Sequence, residues 1–275
     1  MSADPATATV DRAYRPVPLL QDRVVVISGV GPGLGTALAV EAAAMGAHLV
    51  LVSRTERKLE RLAEKIRADG TTVLPVPADI TDEEQRAGLA ERVQAEFGRV
   101  DCLINNAFAI PPMDPITGID LAALRVANET NVLAPLRLSA LFADALAATR
   151  GSIIMLNSCV SYSSQPEYSG YKLSKGALAH LASSLATELG PRGIRVNSVA
   201  PSYVYEDINK AYFDWLATRA GVTHDDIYRE KAAPTDLLRL AGPEEVARAA
   251  LFLASDLASA VTGQMLTVDC GEFHR

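Results

Sequence analysis

The amino-acid sequence predicts an α/β fold, organised as one doubly wound domain in which helices cover both faces of a mostly parallel seven-stranded sheet. Two observations lead to this prediction. Short runs of apolar, often β-branched residues alternate along the chain with longer segments in which apolar residues recur at helical spacing. Apolar strands that are separated by helices need crossover connections, and such connections produce a parallel sheet that is buried on both faces.

Each predicted element has a local justification. The run Val-Val-Val-Ile after Arg23 is apolar and β-branched, as expected of a buried strand. Gly46, Gly70 and Gly98 each follow an amphipathic or Ala-rich segment, as expected at a helix end. The predicted strands span 23–28, 48–53, 72–77, 101–104, 151–157, 194–199 and 264–268. The predicted helices span 34–45, 56–68, 82–97, part of 121–149, 169–189 and 243–254.

The chain contains no Gly/Ser-rich linker that would divide it, so residues 21–275 are predicted to form the single domain. Residues 1–20 are predicted to be a flexible N-terminal arm, because their prolines oppose regular structure. Residues 203–240 follow a predicted strand and are rich in aromatic residues, including Trp215. Their position favours a lid or a wall of a substrate site, and an inserted helix that packs its own aromatic face is the alternative.

Composition excludes several classes of protein. With 49% hydrophobic and 21% charged residues, the chain is neither disordered nor collagen-like nor a coiled coil. Its 26 basic and 33 acidic residues give a net charge of −7, which opposes binding to nucleic acid or to an anionic membrane. Three scattered cysteines and an N-terminus without an apolar signal region predict a cytoplasmic protein. The four histidines show no metal-ligating spacing, so no metal is expected.

A glycine-rich segment, Ser-Gly-Val-Gly-Pro-Gly-Leu-Gly at 28–35, joins the first predicted strand to the first predicted helix. Glycine lets a backbone come close to a pyrophosphate, and the helix that follows offers free N–H groups to the anion. A purely structural turn would use the same residues, but the position between a strand and a helix favours a dinucleotide cofactor. The predicted cofactor contacts here are Gly29, Gly31, Gly33, Leu34 and Gly35.

Four polar residues are candidate catalytic groups. Tyr171 and Lys175 share one face of a predicted helix, where a cation can lower the pKa of a phenol toward the range of useful acid–base catalysis. Alone, this spacing is more often a solvated helix face. Ser158 ends a predicted strand and can donate to a carbonyl oxygen that gains negative charge. Asn131 lies inside a predicted helix, where its amide either holds a water in a proton relay or marks a kink.

Seven sequence marks occur in order over residues 22–270. They are the glycine segment at 28–35, Ala-Asp-Ile at 78–80, Asn-Asn-Ala at 105–107, Asn131, Ser158, the Tyr171/Lys175 pair and Arg-Val-Asn-Ser-Val-Ala-Pro at 195–201. Together these marks resemble the short-chain dehydrogenase/reductase family. The resemblance implies a Rossmann-type fold and an NAD(P)-dependent oxidoreductase, which moves a hydride between a nicotinamide cofactor and a secondary alcohol or ketone.

The resemblance also implies a role for each candidate. Tyr171 exchanges the hydroxyl proton, Ser158 holds the same substrate oxygen, and Asn131 keeps a water in line. Lys175 binds the nicotinamide ribose and lowers the pKa of Tyr171. Further cofactor contacts are implied at Asp79, Ile80, Asn106, Ala107 and the backbone of Val204. The usual assembly of the family implies a homotetramer or a homodimer, with a small-molecule substrate as the other partner.

Three residues depart from the family pattern. Phe108 follows Asn-Asn-Ala where glycine is usual, and Ser202 follows Pro201 where glycine is usual. Glu206 stands where many members have a threonine. These departures affect loops of the expected site and leave the four candidate catalytic residues in place.

The end of the second predicted strand indicates which nicotinamide cofactor is used. An NAD enzyme usually places an acidic residue there, whereas this sequence has Ser53 followed by Arg54. A guanidinium suits a 2′-phosphate, so NADP(H) is predicted to be preferred, with NAD(H) possible. The alternative is that Arg54 pairs with Glu56 or with solvent.

The aromatic segment at 203–240 favours a bulky apolar substrate, such as a cyclic or steroid-like alcohol, or a 3-oxoacyl chain. A second class of function stays open at this point, because a fold alone does not fix an activity. The alternative is a non-catalytic nucleotide-binding redox sensor on the same fold.

Overall fold

Seven strands form one parallel sheet in the computed structural model, which describes residues 16–274. In chain order they are β1 (Val24–Ser28), β2 (His48–Ser53), β3 (Val73–Pro77), β4 (Cys102–Asn105), β5 (Ser152–Leu156), β6 (Arg195–Pro201) and β7 (Met265–Val268). The order across the sheet is β3-β2-β1-β4-β5-β6-β7, with every pairing parallel. The predicted doubly wound α/β fold is confirmed, and each predicted strand lies within two residues of its expected bounds.

The strand order reverses beside β1, and this reversal determines where a ligand can bind. β1 pairs with β2 on one side and with β4 on the other. Ser28, at the carboxyl end of β1, is level with Val52 of β2 and with Asn105 of β4. In open α/β sheets, ligands bind in the crevice at such a reversal. The glycine segment and the residues that follow β2 and β4 therefore meet at this edge of the sheet.

Helices cover both faces of the sheet. They are α1 (Leu34–Ala44), α2 (Glu56–Arg67), α3 (Glu83–Phe97), α4 (Leu121–Asn128), α5 (Ala134–Leu141), α6 (Ala143–Thr149), α7 (Ser169–Leu189), α8 (Asp207–Ala220), α9 (His224–Ala232) and α10 (Pro243–Ala254). On one face, α1 and α10 bury Leu38 and Leu251 in one core cluster. On the other face, α3, α5 and α7 contribute Leu89, Leu138 and Leu185 to a second. The sheet is thus buried on both sides, as the apolar strands predicted.

The region 121–149, which was predicted to contain one helix, is divided. A π-helical turn at Glu129–Leu133 separates α4 from α5, and α6 follows. Pro135 lacks the N–H that would bond to the Asn131 carbonyl in a regular α-helix, so the regular ladder is interrupted here. Among the described residues no single helix is long and apolar enough to cross a membrane, although the bent pair Leu121–Leu141 and Ala143–Thr149 meets the length and composition jointly.

Residues 203–240 contain α8 and α9, which the sequence prediction did not assign. The two helices pack around Phe213, which is fully buried and contacts the rings of Tyr203 and Tyr205. The segment therefore packs its own aromatic face, which was the alternative interpretation. Tyr203 and Tyr212 also line a cavity, so the same segment forms part of a cavity wall, and its role at a substrate site stays a prediction.

Of the predicted arm at 1–20, residues 1–15 lie outside the described residues. Leu20 is fully buried, and its backbone N–H donates to the Met45 carbonyl at 3.0 Å. The packed part of the chain thus begins before the predicted boundary at residue 21, because Leu20 fills apolar space beside the end of α1. The division into an arm and one domain otherwise stays a prediction.

Candidate active site

A cavity of about 570 Å³ opens at the carboxyl edge of the sheet. Its lining comes from the glycine segment, the loop after β4, the ends of β5 and β6, the start of α7 and α8, and the last described residues. The predicted site residues in this lining are Gly29, Leu34, Gly35, Asn106, Ser158, Tyr171, Lys175 and Val204. Those outside it are Gly31, Gly33, Ser53, Arg54, Asp79, Ile80, Ala107 and Asn131. The cavity thus joins three of the four candidate catalytic residues to part of the glycine segment.

Ser158 and Tyr171 meet at this cavity. Ser158 follows the carboxyl end of β5, and its Oγ accepts the Val160 N–H at 3.2 Å, which fixes the side chain at the start of a short 3₁₀ turn. Tyr171 lies in the first turn of α7. Burial raises the pKa of Tyr171, and a hydrogen bond with Ser158 acts in the opposite direction. The phenol is therefore held protonated next to a second hydroxyl, as proton exchange with a substrate oxygen requires.

Lys175 lies one helical turn beyond Tyr171 and is buried. Its Nζ donates to the Leu156 carbonyl at 2.8 Å, and burial lowers its pKa to about 7. That Lys175 lowers the pKa of Tyr171 stays a prediction. Burial is the largest influence on the pKa of both groups: it raises that of Tyr171 and lowers that of Lys175.

Phe108, the first departure from the family pattern, contacts both members of this pair. Its ring meets the Tyr171 ring edge-on, with 5.5 Å between centroids. The Lys175 ammonium lies 4.5 Å from the centroid of the same ring. An aromatic face attracts a cation, so Phe108 helps to hold the lysine amine in position.

Asn131 ties down the loop that carries Phe108. Its Oδ1 accepts the Ala109 N–H and its Nδ2 donates to the Ala109 carbonyl, both at 2.8 Å. The side chain projects from the π-helical turn, so the predicted kink is present. Asn131 is 2% exposed, and its two bonds to the loop account for its burial. The role of holding a water stays a prediction.

The glycine segment has the shape that a dinucleotide needs. Gly29 has a φ of 78°, and a Cβ there would collide with the backbone of Ala107. A Cβ on Gly35 would lie 2.7 Å from the Gly29 carbonyl oxygen. Asn106 Nδ2 donates to that same carbonyl at 2.8 Å, which locks the turn against the loop after β4. At Gly31 a Cβ would meet nothing within 4 Å, so this face of the turn is open to a ligand. The segment therefore fits a nicotinamide dinucleotide.

Glu206, another departure, contacts the start of α1. Its Oε2 accepts the Leu34 N–H at 2.7 Å and lies against Gly33. Burial raises the pKa of this carboxyl, while the hydrogen bond from Leu34 opposes the shift. The N-terminus of α1 thus already holds an anionic group of the chain itself. A phosphate that uses the same N–H has to displace this carboxylate.

The residues predicted to hold the adenosine lie beyond the cavity. Asp79 Oδ1 accepts the backbone N–H and the hydroxyl of Thr81, which, with the charge of Arg54, holds the pKa of that carboxyl below its ordinary value. Arg54 is exposed, and within residues 16–274 its guanidinium has no hydrogen bond or ion pair, so of the two alternative interpretations pairing with Glu56 is absent there, while exposure to solvent fits. The Ile80 side chain belongs to the core, so only its backbone is available to a ligand.

Sequence reasoning missed the contribution of the C-terminal residues. Glu272 and Phe273 line the cavity, and the Ser202 hydroxyl donates to Glu272 Oε2. Tyr168 is a second omission, and its ring lies 6.2 Å from that of Tyr171. Its position three residues before Tyr171 on the same helix face was the signal that could have found it. Among residues 16–274 no cluster of His, Cys, Asp or Glu is arranged to hold a metal ion.

Comparison with known proteins identifies the family to which the chain belongs. A family model described as enoyl-(acyl carrier protein) reductase matches residues 29–272. A relative from Sinomonas cyclohexanicum, cis-4-hydroxycyclohexanecarboxylate dehydrogenase, is 36% identical over 252 residues, which cover 91% of this chain and 96% of the relative. The chain belongs to the short-chain dehydrogenase/reductase family. The resemblance seen in the sequence is therefore confirmed.

Solved structures of other proteins agree with this membership. L-sorbose reductase from Gluconobacter frateurii, in complex with NADPH and L-sorbose, has a TM-score of 0.87 and 29% identity over 93% of this chain and 98% of that one. A 7α-hydroxysteroid dehydrogenase in complex with NADH and 7-oxo glycochenodeoxycholic acid has a TM-score of 0.81 and 32% identity, and the match covers 92% of this chain and 94% of that one. This short-chain dehydrogenase/reductase is thus an oxidoreductase of alcohols or ketones, and the alternative of a non-catalytic sensor is wrong.

Proposed function

We propose that this protein transfers a hydride between NADP(H) and a bulky, apolar, cyclic or steroid-like secondary alcohol or its ketone. One observation carries the proposal. Ser158, Tyr171 and Lys175 line one cavity of about 570 Å³, in which burial raises the pKa of the Tyr171 phenol, Ser158 acts to lower it, and Lys175 lies one helical turn beyond Tyr171. This arrangement supports proton exchange at one substrate oxygen.

The chain's own groups bind the substrate oxygen and move its proton. In reduction, Tyr171 donates its proton to the carbonyl oxygen while Ser158 donates a hydrogen bond to it; in oxidation, the phenolate of Tyr171 accepts the hydroxyl proton. The nicotinamide cofactor, when bound, supplies or accepts the hydride. The raised pKa of Tyr171 keeps the phenol protonated, as reduction of a ketone needs. Lys175 would bind the ribose hydroxyls, and Asn131 fixes the loop that carries Phe108 and Ala109.

The residues that would hold the cofactor lie along the edge where β1, β2 and β4 end. The open turn at Gly31 supports a role in holding the pyrophosphate, and the N–H of Leu34 could join it once the Glu206 carboxylate is displaced. The remaining contacts proposed are Gly29, Gly33, Gly35, Asn106, Ala107 and the backbones of Ile80 and Val204, with Asp79 at the adenine.

The preference for NADP(H) rests on Arg54. We expect Arg54→Ala to lower the ratio of kcat/KM for NADPH to that for NADH by about tenfold, because one charge-assisted hydrogen bond to the 2′-phosphate is lost. The measurement is steady-state kinetics with both cofactors, supported by their dissociation constants from titration calorimetry.

The matched control is Arg57→Ala, which removes an exposed arginine from the next turn of the same region and is expected to leave the ratio unchanged. A wild-type preference for NADH, or an Arg54→Ala ratio equal to that of wild type, would contradict the phosphate role.

The cavity lining supports a bulky cyclic substrate. Its apolar part includes Phe108, Ile110, Met113, Val160 and Phe273. Two of the relatives named above are described with ring-bearing compounds, a hydroxycyclohexanecarboxylate and an oxo bile acid. Lys175 is the only Lys or Arg among the lining residues described, which gives little support to a phosphopantetheine-linked 3-oxoacyl substrate.

A panel of secondary alcohols and ketones tests this function directly. Cyclohexanol, decalol and a 3-hydroxysteroid are offered with NADP⁺, and the matching ketones with NADPH, while absorbance is followed at the nicotinamide band. Turnover of the ring-bearing members above that of 2-butanol is the expected result. The absence of turnover with all of them, with NAD(H) as well, would contradict it.

We propose a homotetramer as well. Two separate faces expose large apolar side chains: Val126 and Leu173 on α4 and α7, at 70% and 55% exposure, and Phe252 and Leu266 on α10 and β7, at 37% each. Two self-complementary faces generate a tetramer with two-fold axes. Light scattering is expected to give four times the 29.2 kDa chain mass, and Phe252→Glu half of that value. A wild-type mass near 29.2 kDa would contradict the proposal.

A cytoplasmic location is proposed on the state of the thiols. Cys102, Cys159 and Cys270 are unpaired, and the first two are buried. Unpaired cysteines are typical of a reducing compartment.

A further inference from the structure

One charged residue in the cavity belongs neither to the proposed catalytic group nor to the expected cofactor site. Among the described lining residues, those charged at neutral pH in their ordinary state are Lys175, Glu206 and Glu272. Lys175 belongs to the catalytic group, and Glu206 bonds to the start of α1, where the cofactor is expected. Glu272 is thus the charged group left to meet the substrate.

A hydrogen-bonded turn after β7 holds Glu272 in place. Asp269, 8% exposed, accepts the N–H groups of Gly271 and Phe273 at 3.0 and 2.9 Å. Gly271 has a φ of 86°, and a Cβ there would lie 2.6 Å from Asp236 Oδ2. A side chain at position 271 is therefore excluded both by backbone conformation and by the neighbouring carboxylate. The turn directs Glu272 toward Ser202, whose hydroxyl donates to it.

Negatively charged groups lie near Glu272. Asp269 is adjacent, and Cys159 lies beside it with its Sγ 3.9 Å from Asp269 Oδ2. Burial and then the charges of Asp269 and Glu272 raise the pKa of the Cys159 thiol to about 12. Burial also raises the pKa of Tyr203, and Glu272 adds to this shift. A second negative charge is unfavourable in this part of the cavity.

This acidic end is connected to the catalytic tyrosine. Tyr168, Tyr203 and Tyr212 line the same cavity, where their phenol groups influence one another's pKa. Tyr168 in turn packs against Tyr171 with 6.2 Å between ring centroids. A substrate that fills the cavity therefore meets the Tyr171 hydroxyl, further phenol oxygens and the Glu272 carboxylate.

We propose that Glu272 selects substrates by their charge. The site takes neutral or cationic ring alcohols and ketones that carry a hydrogen-bond donor away from the reacting carbon. It rejects ring alcohols and ketones that carry a carboxylate at that distant position. A carboxylate accepts hydrogen bonds but donates none, so a substrate hydroxyl or ammonium binds and a substrate carboxylate is repelled. The inference rests on the proposed function, since it concerns the substrate of the same site.

A series built on one ring tests the rule. The compounds are cis-1,4-cyclohexanediol, cis-4-aminocyclohexanol, cyclohexanol and cis-4-hydroxycyclohexanecarboxylate, each with NADP⁺ at pH 7.5. The expected order of kcat/KM places the diol and the amine above cyclohexanol, and the carboxylate about tenfold or more below cyclohexanol. A carboxylate used as well as cyclohexanol would overturn the inference, and this wild-type comparison does not depend on any variant.

Two variants test whether the discrimination against the carboxylate depends on Glu272. Glu272→Gln keeps the size of the side chain and removes its charge, so the ratio of kcat/KM for the carboxylate to that for cyclohexanol is expected to rise about tenfold. The matched control, Glu64→Gln, removes an exposed charge on α2 and is expected to keep the wild-type ratio. A Glu272→Gln enzyme that melts like wild type but keeps the wild-type ratio would overturn the role of Glu272. No turnover of any compound, with either cofactor, would overturn the proposed function and this inference with it.

Discussion

Tyr171→Phe is expected to lower kcat by roughly a thousandfold, the range in which a positioned general acid or base contributes. Phenylalanine keeps the ring that packs against Phe108 and Tyr168, at 5.5 and 6.2 Å between centroids, and removes the proposed proton donor alone. The affinity for NADPH is expected to stay within about twofold, because the backbone of α7 and Lys175 are unchanged. Single-turnover kinetics and fluorescence titration of NADPH measure the two quantities separately.

Tyr228→Phe is the matched control for this variant. Tyr228 lies in α9, packs against Tyr205 with 4.8 Å between centroids and does not line the cavity, so kcat is expected to stay near the wild-type value. A Tyr171→Phe enzyme within a few fold of wild type would remove the phenol from the reaction. A large loss of NADPH affinity in that variant would instead assign Tyr171 to cofactor binding.

The fold and the pairing of Ser158 with Tyr171 were predictable because they follow from local periodicity. Apolar runs separated by helices require parallel strands, and residues at the carboxyl ends of such strands meet at one edge. Tyr171 and Lys175 share a helix face by spacing alone. The geometry of parallel strands and of the α-helix therefore predicts that these residues lie close together.

The environment of the site was not predictable in the same way. The pKa directions of Tyr171 and Lys175 depend on burial by residues far away in sequence, which periodicity does not reveal. The approach of Glu272 to Ser202 depends on a turn at Gly271 and on a carboxylate 35 residues earlier, Asp236. The three departures from the family pattern, Phe108, Ser202 and Glu206, all make specific contacts at the cavity. Residues outside the shared motifs therefore give this site its individual chemistry.

Lys175→Met is expected to make the protein more stable than wild type at pH 6, with an advantage that shrinks as the pH rises. Lys175 is 6% exposed, and burial lowers its pKa to about 7 from 10.5. Below pH 7 the folded protein holds a buried charge, which the hydrogen bond to Leu156 and the Phe108 ring only partly compensate. Methionine has similar length and no charge to desolvate.

The sign of the pH dependence follows from proton binding. Between pH 7 and 10.5 the unfolded wild-type chain binds a proton that the folded protein does not, so the wild-type free energy of unfolding rises with pH in this window. From pH 6 to 9 the advantage of Lys175→Met is expected to fall by about 3 kcal/mol. Urea unfolding of both proteins across this range measures it, with Lys65→Met on the exposed side of α2 as a control whose difference from wild type stays flat. A Lys175→Met advantage that is constant or grows with pH would show that the buried amine is charged throughout, and that its surroundings, rather than its deprotonation, accommodate it in the fold.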